Sequence, residues 1–299
     1  MTICFYFNEG SKPGVKYGIF SIAASVNHSA AIVRRSNGST ELYTWGYARD
    51  HALGHDTNAK IVVSPSLVRT LPSYLNSISC RKNISNDAAI NTLISSTLSK
   101  PLSQSENSSP VYKSEVLVDV KLGIRCTFVL TSTGRILSFG TSDIGLLGLG
   151  SGVTKASKPE EIKLNTRNDE EVKITALSVG LHHAVATCKD DGSIWKWGSC
   201  ENGRLGPMEN SGEESASVTI WTPTRFHINS DYDNHAVLAC AGFDATILVM
   251  SSGNVLSCGK NSGRLGQGND LEADTNESVE KPIPMFGGMK LWHDSTITY

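Results

Sequence analysis

Apolar residues in this chain come in short bursts of β character, and glycine, not helical spacing, separates them. Residues 42–45, 116–120, 128–130, 135–139, 194–197, 220–226 and 255–258 are such runs. Each is bounded by Gly, Asn, Asp, Ser or Pro, which predicts strands joined by tight turns. Hairpin turns are expected at Ser36-Asn37-Gly38-Ser39, where Asn-Gly is the strongest short hairpin signal, at Ser132-Thr133-Gly134, at 189–192 and at Ser251-Ser252-Gly253. A bend precedes each hairpin: Asn27-His28-Ser29, Gly123-Ile124-Arg125-Cys126-Thr127, Gly180-Leu181-His182-His183-Ala184 and Gly242-Phe243-Asp244-Ala245-Thr246.

The pattern recurs. ELYTWG (41–46) is followed by Ala52-Leu53-Gly54, and GRILSFG (134–140) by Gly145-Leu146-Leu147-Gly148. GSIWKWG (192–198) is followed by Gly203-Arg204-Leu205-Gly206, and GNVLSCG (253–259) by Gly263-Arg264-Leu265-Gly266. One pattern repeated in order marks a repeat protein. The units run over about 19–72, 111–166, 170–229 and from 235 onward. Each unit supplies two hairpin-linked strand pairs, too few to bury a core alone, so neighbouring units must cover one another. The expected fold is all-β, a β-propeller with four full repeats.

Two stretches depart from the repeat. Residues 73–110 hold no glycine and much serine, and read as an inserted surface loop within a single domain of 1–299. A helix over 87–98, capped by Asn86 or Asp87, is compatible with its pattern, and a partner-binding or phosphorylated loop is the functional alternative. Residues 289–299 line up with 239–249 as the first half of a fifth repeat, and residues 1–10 look like the W-G end of a repeat lacking its first half. The expectation is that they share one blade and close a ring, which removes bare strand edges.

The third repeat reads G-x-x-H, then D-G-x-I-x-x-W-G, then N-G-R-L-G. It resembles the repeat of the regulator of chromosome condensation family, whose members are propellers of four-stranded blades. From the glycine after the aromatic to the glycine after the leucine is eight residues in three repeats (46 to 54, 140 to 148, 198 to 206) and seven in the fourth (259 to 266). The resemblance implies structural repeat positions at Trp45, Gly46, Gly54, Gly123, Phe139, Gly140, Gly148, Gly180, His183, Trp197, Gly198, Gly206, Gly242, Gly259 and Gly266. It also has departures. Cys126, Ala245 and Ser295 stand where the family has histidine, and Cys258 where it has an aromatic. The family's usual ring has seven blades. Blade number therefore stays open between a small ring, a ring with unrecognisable blades, and a partial product.

Composition adds exclusions. With 27 basic and 29 acidic residues the net charge is −2, so no global field favours nucleic acid or an anionic membrane. Seven cysteines form no C-x-x-C pair, and their odd number favours reduced thiols in cytosol or nucleus. Residues 1–9 lack a basic n-region, so a secretory signal is not expected. There is no P-loop, G-x-S-x-G or H-E-x-x-H. His182-His183 invites a metal reading, but no third ligand is near in sequence, which favours a hydrogen-bonded structural histidine at His183. Trp45, Phe139 and Trp197 are read as blade packing ahead of ligand contact. The acidic stretches 209–214 and 270–280 are solvated loops or contacts for a basic partner. Expected is a non-catalytic, monomeric propeller without cofactor or metal that binds a protein. The family's founding activity, guanine-nucleotide exchange on a Ran-like small GTPase, is the alternative.

Overall fold

The computed structural model describes residues 17–57, 59–76, 115–164, 166, 172–188, 190–207, 219–228, 235–260, 265–266 and 278–285. Both terminal half-repeats, nearly all of the 73–110 insertion with its 87–98 segment, and the acidic stretches, apart from 278–280, lie outside the described residues. The insertion opens with a single helical turn at Ser73–Asn76.

The described strands form four antiparallel four-stranded sheets, each in sequence order. The first holds β1 (Tyr17–Ala24), β2 (His28–Arg35), β3 (Thr40–Tyr47) and β4 (Ile61–Leu67). The second holds β5 (Leu117–Leu122), β6 (Cys126–Thr131), β7 (Ile136–Thr141) and β8 (Lys155–Glu161). The third holds β9 (Ile174–Val179), β10 (His183–Cys188), β11 (Ile194–Ser199) and β12 (Thr219–Arg225). The fourth holds β13 (Ala236–Ala241), β14 (Ala245–Met250), β15 (Val255–Lys260) and β16 (Ser278–Pro284). The sheets stack in chain order: β1 packs on β5, β5 on β9, and β9 and β10 on β13. The second strands β6 and β10, with a blade on either side, are buried along their whole length.

Register explains why the motif's aromatic and glycine travel together. Gly46, Gly140, Gly198 and Gly259 sit directly opposite His28, Cys126, His183 and Ala245 on the neighbouring strand. Each of these glycines has φ between +105° and +129°, and the pairing to the outer strand slips at the residue just before it. Trp45, Phe139, Trp197 and Cys258 are therefore bulge residues, and the bulge aims Phe139, Trp197 and Cys258 at the preceding blade. Sequence placed the histidine inside the bend. The structure puts the turn earlier, at 25–27 in the first sheet, and makes His28, Cys126, His183 and Ala245 the first residues of the second strands.

The outer strands share a device that the apolar pattern does not reveal. Pro65, Pro159, Pro223 and Pro282 are each the fifth residue of β4, β8, β12 and β16. Proline cannot donate to a ladder, so it blunts the free edge against pairing with another chain. β8, with the sequence KASKPEE, is so polar that hydrophobic pattern does not announce it.

Candidate interaction face and the blade seams

One hydrogen-bond scheme ties each Leu-Gly loop to its own blade. Thr44 Oγ1 donates to the Leu53 carbonyl at 2.7 Å, Ser138 Oγ to Leu147 at 2.7 Å, Lys196 Nζ to Leu205 at 2.8 Å, and Ser257 Oγ to Leu265 at 2.7 Å. The position is two residues before the motif glycine, and it carries a donor in all four blades. Lys196 is buried, and its ammonium also lies 4.8 Å from the Phe226 ring centroid.

The next blade then caps the carbonyl one residue earlier in the loop. Thr127 Oγ1 donates to Ala52 at 2.7 Å, Trp197 Nε1 to Leu146 at 2.8 Å, and Thr246 Oγ1 to Arg204 at 2.5 Å. The threonine seams include a histidine. His28 Nε2 lies 2.8 Å from Thr127 Oγ1, and His183 Nε2 lies 2.8 Å from Thr246 Oγ1. Each hydroxyl gives its one proton to the loop carbonyl, so the histidine must donate from Nε2. Where the second blade has Cys126 in place of histidine, the third has Ala184 in place of threonine, and Trp197 caps the loop. Substitution on one side of the seam is matched on the other. Buried Cys126 and Cys258 fill these sites as apolar groups, and burial pushes both thiols up to about 12.

The glycines closing the Leu-Gly loops are receptors for the next blade's bulge residue. A Cβ at Gly54 would stand 2.8 Å from the Phe139 ring, and one at Gly148 would stand 3.1 Å from Trp197 Nε1. Gly206 and Gly266 instead face Phe226 and Met285, the residues that follow β12 and β16 in their own blades. At the bends, a Cβ on Gly180 would run into the Gly242 carbonyl, one on Gly123 would stand 2.6 Å from Cys126 Sγ, and Gly242 is less confined. Phe139 and Trp197 are fully buried, whereas Trp45 is only half-buried.

Burial lowers the His28 pKa to about 4 and, with the Arg204 charge adding to it, that of His183 to about 3. Both folded values lie below the unfolded one of about 6.5, so the unfolded chain takes up protons first. Stability is complete above about pH 6.5 and falls as pH drops toward 4, by up to about 1.4 kcal/mol per pH unit for each histidine. Urea midpoints should fall steadily between pH 7 and 5. The double variant His28→Asn, His183→Asn, which keeps a donor, should be less stable at pH 7 and flatter across that interval.

The bends and the loops after the third strands emerge at the same end of every sheet. The first bend touches the second, where Asn27 Nδ2 donates to the Ile124 carbonyl at 3.1 Å, and the third touches the fourth, where the Leu181 amide donates to the Gly242 carbonyl at 3.2 Å. The second bend residue is apolar in all four blades (Val26, Ile124, Leu181, Phe243). Val26 is 83% exposed and Phe243 is 56% exposed. The third bend residue is polar: Asn27, Arg125, His182, Asp244. Between the first two bends lies a cleft of about 250 Å³ lined by Asn27, Tyr47, Arg49, Asp50, Ala52, Ile124 and Arg125. Between the last two, His182 packs edge-on against Phe243 at 5.5 Å, and burial lowers its pKa. Beneath them Arg204 is buried and pairs with Asp244 at 3.0 Å. Among the described residues no three His, Cys, Asp or Glu side chains cluster as metal ligands. His55 is half-buried, with Nε2 3.0 Å from Thr44 Oγ1.

The opposite end carries the hairpins. There Glu115 is buried in an ion pair with Arg135 at 2.7 Å, and Arg135 stacks 4.6 Å over Tyr74. A hollow of about 430 Å³ beside them has Glu161 and Lys163 on its rim, and Lys163 is highly exposed.

Comparison with known proteins agrees with this architecture. No protein-family model matches the chain. It is 30% identical over 145 residues to the mouse secretion-regulating guanine nucleotide exchange factor, covering 48% of this chain and 29% of that protein. It is 25% identical over 201 residues to the human E3 ubiquitin-protein ligase HERC2, covering 63% of this chain and 4% of that protein. Among solved structures, Prp20p from Saccharomyces cerevisiae, crystallised in a study of its binding to Gsp1p and histones, superposes with a TM-score of 0.59 at 16% identity. That match covers 90% of this chain and 51% of Prp20p. The chain thus spans about half or less of each of these proteins. It is an all-β propeller chain. Its blades are repeats of the regulator of chromosome condensation type.

Proposed function

We propose that this propeller is a non-catalytic protein-interaction module that holds a protein partner on its bend face, in cytosol or nucleus. The carrying observation is the strip of second-position bend residues. Four apolar side chains sit at one repeat position, the two end ones are largely exposed, and hydrogen bonds join the first bend to the second and the third to the fourth. Exposed apolar groups interleaved with polar ones on a preformed surface suit a protein interface. This reading assigns the protein no bond-making step and no cofactor. In the test, the partner recovered with the tagged full chain is measured against Phe243→Asp and Ile124→Asp. Either substitution within such an interface should weaken binding at least about tenfold. Unchanged affinity in both sinks the reading.

A second reading is exchange on a small GTPase. It is favoured by the 30% identity to an exchange factor and by the likeness to Prp20p, a Gsp1p binder. Here the bend face would hold the GTPase. Stimulated release of a fluorescent guanine nucleotide from a Ran-type GTPase, lost in Phe243→Asp, supports this reading. A partner whose binding ignores nucleotide supports the first.

A further inference from the structure

Two of the blade seams reach the bend face with opposite charges. Three residues after the motif glycine stands Arg49 in the first blade, Asp143 in the second and Glu201 in the third. The third bend position of the blade that follows holds Arg125, His182 and Asp244. The seam between the third and fourth blades therefore gathers two carboxylates, Glu201 and Asp244. The seam between the first and second gathers two guanidinium groups, Arg49 and Arg125. Like charges gathered in this way repel unless an opposite charge stands with them. The acidic seam carries its own counter-ion. Arg204 is buried, with Nη2 3.0 Å from Asp244 Oδ1 and 3.5 Å from Glu201 Oε2. Arg204 stands two residues before the glycine that closes its loop, and in the first blade that residue is Ala52. Ala52 lines the cleft of about 250 Å³ that Arg49 and Arg125 also line. The place of the bridging side chain is thus a cleft.

We propose that this cleft takes an acidic side chain, Asp or Glu, of the protein partner, with its carboxylate set against Arg49 and Arg125. The proposal rests on the bend-face reading for the nature of the occupant, a protein, and adds its chemistry. Arg125 is already met from its own blade. Its Nη2 lies 2.9 Å from Asp143 Oδ2, and this hydrogen bond, with the Asp50 charge adding to it, raises its pKa. Asp50, the one carboxylate lining the cleft, is thereby engaged with Arg125. Arg49 is exposed and makes no hydrogen bond or ion pair among the described residues. The loop that carries it is nonetheless pinned, because Thr141 Oγ1 of the second blade donates to the Asp50 carbonyl at 2.9 Å. A guanidinium presents a planar fork of donors that matches a carboxylate. The cleft is smaller than the about 300–1,000 Å³ of small-molecule sites, which suits one inserted side chain. Tyr47 lines it and is 51% exposed, and Val26, next to Asn27, is 83% exposed. The sequence recognised is therefore an acidic residue beside an apolar one.

The probe is a displayed library of random dodecapeptides panned on the tagged full chain. Selected peptides should carry Asp or Glu beside an apolar residue. Resynthesised with Asn or Gln at that position, they should bind at least about tenfold more weakly, and the parent peptides should lose as much on Arg49→Gln. Arg49 is exposed, so this variant keeps the fold. Combining the two changes should cost no more than either alone, because both remove one contact. Lys163→Glu, at the opposite end, should leave the affinity unchanged. Selected peptides without an acidic residue, full affinity for Arg49→Gln, losses that multiply in the combination, or a library that yields no binder each overturn the proposal. The bend-face reading is judged separately by Phe243→Asp and Ile124→Asp against the protein partner. A partner lost with those two variants, beside peptides indifferent to Arg49→Gln, overturns this proposal alone. Acidic peptides that need Arg49, beside a partner indifferent to those two variants, support it and overturn the wider reading.

Discussion

Trp197→Ala is expected to destabilise the protein by about 3–5 kcal/mol, among the largest effects of any single side-chain truncation in the chain. The indole is fully buried at the bulge of β11, packed on the Gly148 loop of the second blade and 6.5 Å from the Phe128 ring. Its Nε1 supplies the cap that a threonine supplies at the other two seams. Truncation therefore leaves a cavity and, in the same step, an uncapped Leu146 carbonyl. The two contributions separate in Trp197→Phe. That variant keeps most of the volume, loses the donor, and should cost about 1–3 kcal/mol. Urea denaturation of the three proteins, followed by circular dichroism, gives the comparison. If Trp197→Ala costs under about 1 kcal/mol, the seam described here does not carry the fold.

Gly198→Ala is expected to be nearly as severe for a different reason. Gly198 has φ +105°, and a Cβ there would lie 2.5 Å from the His182 carbonyl oxygen and 2.8 Å from the His183 Cα. Both contacts are backbone, so nothing yields cheaply. The strained conformation alone costs about 1–3 kcal/mol. The clash moves the start of β10, and with it the His183 to Thr246 bond across the seam. Gly150→Ala is the matched control. Its φ is +111°, but a Cβ there meets nothing within 4 Å, so it should show the conformational cost alone. The difference between the two variants in urea midpoint isolates the clash. Equal losses would mean that the close approach at the bulge is unimportant.

Much of this architecture is legible in the sequence because its determinants are local. The Asn-Gly and Ser-Gly hairpins, the alternating strands, and the glycines after Trp45, Phe139, Trp197 and Cys258 all signal within a few residues. What stayed hidden is non-local or polar. β8 has too few apolar residues to be seen, and the shared proline at the fifth position of the outer strands emerges only when the four strands are aligned by structure. The pairing of His28 with Thr127 spans 99 positions and that of His183 with Thr246 spans 63, so no window along the chain contains either. Cys126 looked like a defect in the repeat. The structure shows it as half of a matched change, with Ala184 opposite and Trp197 taking over the cap. Trp45 shows the converse. Its motif is intact, yet it is half exposed, because among the described residues no blade precedes the first sheet.

The proposed interaction face was the least legible part. Val26, Ile124, Leu181 and Phe243 are separated by 57 to 98 residues, and each alone is an ordinary apolar residue in a bend. Only the stacking of four sheets puts them at one end, in register, with Asn27, Arg125, His182 and Asp244 between them.

Whether a protein partner sits on the bend face or on the hairpin end is decided by quantitative mass spectrometry of proteins recovered with the tagged full chain, run in parallel for wild type, Phe243→Asp and Lys163→Glu. Lys163 is exposed on the hairpin end, so its variant controls for surface charge. One partner should be recovered equally by wild type and Lys163→Glu and depleted at least about tenfold by Phe243→Asp. A partner lost with Lys163→Glu and kept with Phe243→Asp would contradict it and move the interface to the opposite face.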